Sequence, residues 1–417
     1  MPSLARFIRL LAFAAAVPPA IMAAAQGPSP AAADRTQGAP AQTSTDSSRG
    51  PSDSAPAMES NTPAVTSAEP LAGVKLSGYA EASYLYSTAA LPGGPIVGRS
   101  FDRFQDQATL NVVKLVLDKG FAPDKLSAGF RADLLLGQNA RLIQSAGLNL
   151  GDHADIEQLY VSFNVPTANG NGLQFKAGKW VTLMGLEVIE DVLNPNWSEG
   201  NQFLFAENFT SVGLEVDYKW NKYLDTELRV FNGWDVVQDN NTHKSFMARL
   251  GITPDDQTVI GLVGYIGPEQ ANNDDADRKG VNVVITRKFG GQVSASGQFD
   301  YGKEDANAAL PDSTRDAHWW ALGAWLTFDL SAKLGIALRG DYFDDKQGAR
   351  TSAAPFTAPF PGNLRNKLKS GTATLNIRTW ENTLLRPEIR YDHSNITGAF
   401  GDNNDQLTFG LSAAYIY

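Results

Sequence analysis

Residues 210–232 read TSVGLEVDYKWNKYLDTELRVFN. Val212, Leu214, Val216, Tyr218 and Trp220 alternate with Ser211, Gly213, Glu215, Asp217 and Lys219. Residues 221–223 then turn the chain, and a second run follows with Glu227 and Arg229 in its middle. A period of two sends successive side chains to opposite faces of a strand. One face of this hairpin is therefore apolar and the other carries charge in mid-strand.

The same pattern spreads outward along the chain. Leu334, Ile336, Leu338 and Tyr342 alternate with Lys333, Gly335, Arg339 and Asp341. Val293, Ala295, Phe299 and Tyr301 alternate with Gln292, Ser294, Ser296, Gln298 and Asp300, and Ile389 and Tyr391 with Glu388, Arg390 and Asp392. Sixteen candidate strands follow: 74–86, 108–119, 126–136, 155–165, 173–181, 210–220, 224–233, 244–253, 257–267, 278–288, 292–301, 317–330, 333–343, 368–380, 383–393 and 406–417. Lys114 and Lys179 interrupt the alternation of two of them. Most exceed the roughly 5–6 residues of a soluble strand and match the ~9–11 that cross a bilayer at a tilt.

Connections alternate short and long, from the three-residue turns at 221–223 and 254–256 to the long segments 87–107, 137–154, 182–209 and 344–367. Short turns at one end and long loops at the other are the rhythm of a transmembrane barrel, and closure satisfies every backbone group in hydrocarbon. The expected fold is an all-β antiparallel transmembrane β-barrel of about 16 strands, with one loop folded into its lumen. A soluble sandwich also explains alternation, but sixteen long strands in one sandwich is an unusual size. Aromatic residues collect near strand ends, among them Tyr84, Trp220, Trp320, Tyr415 and Tyr417, with Trp180, Trp234, Trp319 and Trp380 similarly placed. Aromatic girdles at two membrane interfaces would put them there.

The longest connection in the ordered part, 182–209, carries Glu187, Glu190, Asp191, Glu199 and Glu207 among Trp197, Phe203 and Phe205. A structureless loop of this length is usually functional. It is expected to enter the lumen and restrict it, with Glu187, Glu190, Asp191 and Glu199 as the acidic side and Arg229, Arg249, Arg339, Arg378 and Arg390 as a basic wall opposite. Such a transverse field filters solutes by charge and size.

Arg6 and Arg9 precede or interrupt an apolar run, Phe7–Val17, and Ala23–Ala25 supply small residues for cleavage. Residues 1–25 are therefore expected to be a secretory signal peptide; the run is short of the ~20 apolar residues of a spanning helix. Residues 26–70, rich in Ala, Pro, Ser and Thr, are expected to form a disordered periplasmic linker, leaving 71–417 as the barrel. With the leader removed, loss of Arg6 and Arg9 takes the formal net charge from −10 to −12, which disfavours nucleic acid as a partner. There is no cysteine, hence no disulfide framework or thiolate metal site.

The last strand ends Phe409, Leu411, Ala413, Tyr415, Tyr417. It resembles the C-terminal signal that outer-membrane barrels present to the barrel-assembly machinery, with Tyr in place of the commoner Phe. The segment Gly178-Lys179-Trp180-Val181-Thr182, followed by Gly185, Glu187, Ile189, Asn196, Ser198 and Phe205, resembles the hallmark region of the OmpL-like outer-membrane β-barrel porins. Leu186 stands where that family often has an aromatic. The resemblance covers residues 71–417 and implies a passive pore for small polar solutes in the outer membrane of a Gram-negative bacterium, surrounded by its lipid. A homo-oligomer is compatible with it, and no cofactor is implied.

Two other readings compete. A non-conducting receptor or adhesin would use the outer loops, including the Pro- and Phe-rich stretch 355–361. A barrel hydrolase needs a nucleophile beside a base, and of His153, His243, His318 and His393 only the last has a neighbouring serine, Ser394, which a strand sends to the opposite face. No catalytic residue is therefore assigned. The acidic runs 272–275 and 402–405 lack the spacing of a defined Ca²⁺ loop, so no metal site is assigned either.

Overall fold

The computed structural model describes residues 73–89, 95–122, 124–168, 170–352, 359–378 and 380–417. The expected leader and linker, and most of the Pro- and Phe-rich stretch, lie outside the described residues. Sixteen strands run β1 (Lys75–Ser87), β2 (Ala108–Lys119), β3 (Ser127–Leu136), β4 (Ala154–Val165), β5 (Leu173–Val181), β6 (Thr210–Lys219), β7 (Leu224–Phe231) and β8 (Ser245–Asp255). They continue as β9 (Thr258–Pro268), β10 (Asp277–Phe289), β11 (Val293–Glu304), β12 (Ala317–Ser331), β13 (Leu334–Asp345), β14 (Asn366–Ile377), β15 (Thr383–Ser394) and β16 (Asp405–Ile416). Each pairs antiparallel with its sequence neighbours, and β1 pairs with β16, closing the barrel. Tyr417 and Gly78 exchange two backbone hydrogen bonds of 3.0 Å at the seam. No edge remains to be satisfied, as hydrocarbon requires.

Burial is inverted relative to a soluble sandwich. The outward set includes Leu134, Leu159, Phe163, Leu214, Leu322, Leu326, Leu338, Ile389 and Leu411, all exposed. The inward set is buried and polar: Glu81, Lys114, Asp133, Glu215, Arg229, Asp300, Arg339, Asp341, Arg386, Glu388, Arg390 and Asp392. An exposed apolar set of this kind is the sort of surface that hydrocarbon would cover. Each such leucine is worth roughly 1.5–3 kcal/mol once it leaves water.

Short turns join alternate pairs at one end. At 221–223 the Asn221 side chain accepts from the Tyr223 N–H at 2.8 Å while Trp220 N–H donates to Leu224 O at 2.9 Å. Exposed aromatics mark both ends, with Trp220, Trp380, Tyr415 and Tyr417 toward the short turns and Tyr84, Tyr86 and Tyr391 toward the long loops. Trp320 also points outward toward the loop end, donating to Asp344 and lying 4.9 Å from the Tyr342 ring. Trp180, Trp234 and Trp319, which sequence position groups with the girdles, are instead buried inside. For Trp319 the reason is parity, since it faces Gly302 and Asp345 on the inner face while Trp320 faces Tyr301.

The two interrupted strands have local causes. In β5, Gly178 has φ +140°, and a Cβ there would lie 2.2 Å from Leu159 O. That turn of the backbone, open to glycine, lets Lys179 and Trp180 both be buried. In β2 the register against β1 shifts by a bulge beside Glu81, and Val112, Lys114 and Val116 then share the inner face, all buried.

Candidate functional site

The connection from β5 to β6 does not stay at the barrel end. It contains a 3₁₀ turn (Asp191–Leu193) and a short helix, α2 (Asn201–Ala206), the first helix, α1, being Gln138–Ile143. Its path lies across the lumen, where it hydrogen-bonds to the walls from β10 round to β2. Gly185 N–H donates to Asn282 at 3.1 Å and Leu186 N–H to Gln298 at 2.8 Å. Asn196 bonds Thr374 at 2.7 Å, and Trp197 N–H donates to Glu388 at 2.8 Å. The Trp197 indole reaches Glu81 at 2.7 Å. Asn201 bonds Asp341 at 2.7 Å, and Gln202 bonds Asp300 at 2.8 Å. Gly185 has φ +84°, and a Cβ there would lie 2.1 Å from the Glu207 carboxylate, so glycine is required where the loop leaves β5.

The loop acids mostly point at the wall. Glu187 pairs with Arg339 at 2.7 Å, Glu190 with Lys114 at 2.5 Å and Asp191 with Arg386 at 2.7 Å. Lys114 is also held by Asp133 and Glu157. Arg390 donates to Glu199 O at 2.6 Å and to Asp392 at 2.8 Å. Removing one member of such buried pairs costs about 3–5 kcal/mol, so the loop is fastened rather than draped. The Glu199 and Glu207 carboxylates are the exceptions: neither has a cation partner among the described residues, Glu207 accepting from Gln298 instead, and for Glu199 burial, followed by Asp191, Asp102 and Glu187, raises the pKa well above the usual carboxylate range.

The expected basic wall is only partly realised. Arg339 and Arg390 touch the loop directly instead of facing it across a gap. Arg229 bonds Glu215 and, at 2.7 Å, Val181 O. Arg249 is tied to Asp225 and Glu227 at 2.5 and 2.7 Å. Arg378 is not on the inner wall: it lies just past β14, exposed, with its N–H donating to Lys333 O. Arg386 and Lys114 are cation anchors that the sequence reading passed over. Arg386 could have been found by parity, because it stands two and four residues before Glu388 and Arg390 on the same face.

At the loop end, side chains fill one side of the barrel. Phe203 of α2 stacks on Phe209 at 5.1 Å, Phe205 lies 5.6 Å from Phe343, and Phe360 lies 5.6 Å from Phe400. Arg99, on the connection after β1, is drawn inward to Asp392 at 2.8 Å. Inside the barrel, two groups of described residues remain open to water, one on the lumen loop and one on the wall. On the loop, Leu193 is 59% exposed and Leu186, Val188, Glu190 and Val192 are half-buried. On the wall of β3 and β5–β7, Arg131, Lys176, Asp217, Asp225 and Glu227 are half-exposed.

Competing chemistry finds little support in this geometry. His393 bonds Asp405 on the outer face at 2.7 Å, while buried Ser394 bonds Asn366 at 2.7 Å on the inner face. In the run 272–275, the Asn273 side chain accepts from Asp275 and Ala276 N–H groups, as an Asx turn does. Carboxylates converge at Asp133, Glu157 and Glu190, but the Lys114 ammonium sits among them.

The fold is that of solved porins. The chain is similar to the outer-membrane channel DcaP of Acinetobacter baumannii at TM-score 0.55 and 11% identity, over 82% of this chain and 97% of that one. It is similar to an anion-selective porin from Comamonas acidovorans at 0.54 and 10%, over 82% and 99%. It is likewise similar to the trimer form of OmpT, an outer membrane protein of Vibrio cholerae, at 0.54 and 12%, over 82% and 99%. No curated protein matches the sequence. The family model described as "Putative beta-barrel porin-2, OmpL-like" matches residues 73–417, the whole of the barrel whose inverted burial and inward loop are described above. The chain belongs to the OmpL-like family of outer-membrane β-barrel porins.

Proposed function

We propose that this porin passes small hydrophilic solutes passively between the apolar edge of its lumen loop and the charged wall of β3 and β5–β7, with the loop as the constriction. The observation that carries this reading is the fastening of residues 185–202 to the opposite walls, which leaves Leu186, Val188, Val192 and Leu193 to border the remaining water. A sixteen-strand barrel is wide enough for an aqueous channel, and a loop anchored by buried ion pairs restricts it without blocking every side. On this reading the acids Glu187 and Asp191 fasten the constriction, while Glu190, Arg131, Lys176, Asp217, Asp225 and Glu227 supply the charges a passing solute meets.

The leader and the C-terminal strand fit export followed by insertion through the barrel-assembly machinery into outer-membrane lipid. The trimer form of the similar OmpT of Vibrio cholerae supports association into a homo-oligomer. The aromatic packing of Phe203, Phe205, Phe209 and Phe343 favours one competing reading, a plugged barrel that binds partners through its outer loops.

Single-channel recording of the refolded chain in a planar bilayer separates the two. Stable conductance steps are expected, and deleting Glu187–Gly200 is expected to enlarge them. The reversal potential in a KCl gradient then reports which wall charges set the filter. Insertion without conductance would overturn the open-porin reading in favour of the plugged barrel.

A further inference from the structure

A cavity of about 330 Å³ opens at the loop end of the barrel, lined by none of the wall residues that fasten 185–202. Its cationic side is formed by Arg278 and Arg350, stacked over the same indole: their guanidinium carbons lie 4.7 and 5.5 Å from the Trp234 ring centre. Arg350 also lies 5.2 Å from the Trp319 ring. Two aromatic faces hold it by cation–π attraction, and its Nε donates to Phe205 O at 2.7 Å.

The acids around the cavity are already engaged. Glu304 receives both the Arg278 guanidinium at 3.0 Å and Asn307. Glu269 accepts from Ser245 at 2.7 Å and from Trp234 N–H. Asp235 accepts from the Phe209 and Thr210 N–H groups at 2.7 and 2.8 Å. Asp345 takes the backbone N–H of Arg350, not its guanidinium. The Nη groups of Arg350 are thus left without an acceptor among the described residues, on a side chain that lines the cavity. Burial also pushes Glu269 up to about 7, which lessens repulsion of an incoming anion near neutral pH. Ala146, Ala308, Ala309 and Ala349 complete the lining with small apolar surfaces.

We infer that this cavity is a binding subsite for a small organic carboxylate, its oxygens forked on the Arg350 Nη groups and its apolar body against the alanines. A guanidinium presents two parallel donors that match a carboxylate, and the volume is at the lower end for small-molecule sites.

Isothermal titration of the refolded full chain in detergent micelles tests this without requiring that the barrel conduct. Benzoate is expected to bind one per chain, and neutral benzamide at least about tenfold more weakly. Arg350→Ala should abolish the benzoate signal and Arg350→Lys should retain part of it. Because Arg350→Ala also removes packing on Trp234, Ala309→Phe serves as a second variant that fills the cavity with the guanidinium intact, and it too should lose binding. Equal affinity for benzoate and benzamide, or wild-type binding by Ala309→Phe, would overturn the assignment. A channel that conducts KCl but fails this titration would refute the subsite alone.

Discussion

Glu199 is a lumen-loop acid with no cation beside it among the described residues. Its Oε1 is buried with no hydrogen-bond partner, and burial holds its pKa well above the ordinary carboxylate range. In the unfolded chain the same group ionises near ~4.3. The folded state therefore binds the proton more tightly, and stability falls as pH rises from the ordinary carboxylate range upward. Glu199→Gln removes that penalty. Its unfolding midpoint in detergent is expected to equal that of the wild type below about pH 4 and to exceed it increasingly toward pH 8. A difference that is constant with pH would mean that Glu199 is ionised at little cost in the folded lumen.

At the scale of the element, the loop and the wall make one fastened unit. Glu187 and Asp191 neutralise Arg339 and Arg386, all four side chains being buried. Glu187→Gln with Asp191→Asn takes one carboxylate from each guanidinium, leaving Arg339 with Asp341 at 3.3 Å and Arg386 with Glu81 at 3.7 Å, at a cost of at most about 3–5 kcal/mol for each broken pair. The barrel ladder does not pass through these contacts, so the loop is expected to come away while the strands hold. Open-channel current noise should rise, and added protease should cut between residues 187 and 200 in the folded, membrane-inserted protein. Quiet channels with an intact loop would show that the hydrogen bonds of Asn196, Trp197, Asn201 and Gln202 suffice by themselves.

For the molecule as a whole, the outward apolar face is the surface expected to meet hydrocarbon. Leu326 lies in the middle of β12, exposed, opposite Ala295 and Leu338. An arginine at the middle of a lipid-facing strand costs roughly 2–4 kcal/mol. Leu326→Arg is therefore expected to lower the urea midpoint for unfolding from lipid vesicles by a corresponding amount, while the same protein in short-chain detergent is affected less. Equal loss in both media would place Leu326 away from hydrocarbon.

The barrel, its sixteen strands and the connection that enters it are legible in the chain's local patterns. Those features rest on local signals: period-two alternation such as Val212–Trp220, tight turns such as 221–223, and the length and composition of 182–209. Strand ends shifted by only a few residues, the largest being the earlier end of β14 at Ile377 and the later end of β11 at Glu304. What the charges do depends on contacts between distant parts of the chain. Glu187 meets Arg339 across 152 residues, and Asp191 meets Arg386 across 195, partnerships that no local pattern encodes. Alternation can place a charge on the inner face, but burial and the reach of a particular side chain determine whether it meets water or a partner. For that reason the loop acids turn to the wall, Arg378 falls outside the lumen, and valines and leucines are left to border the open space.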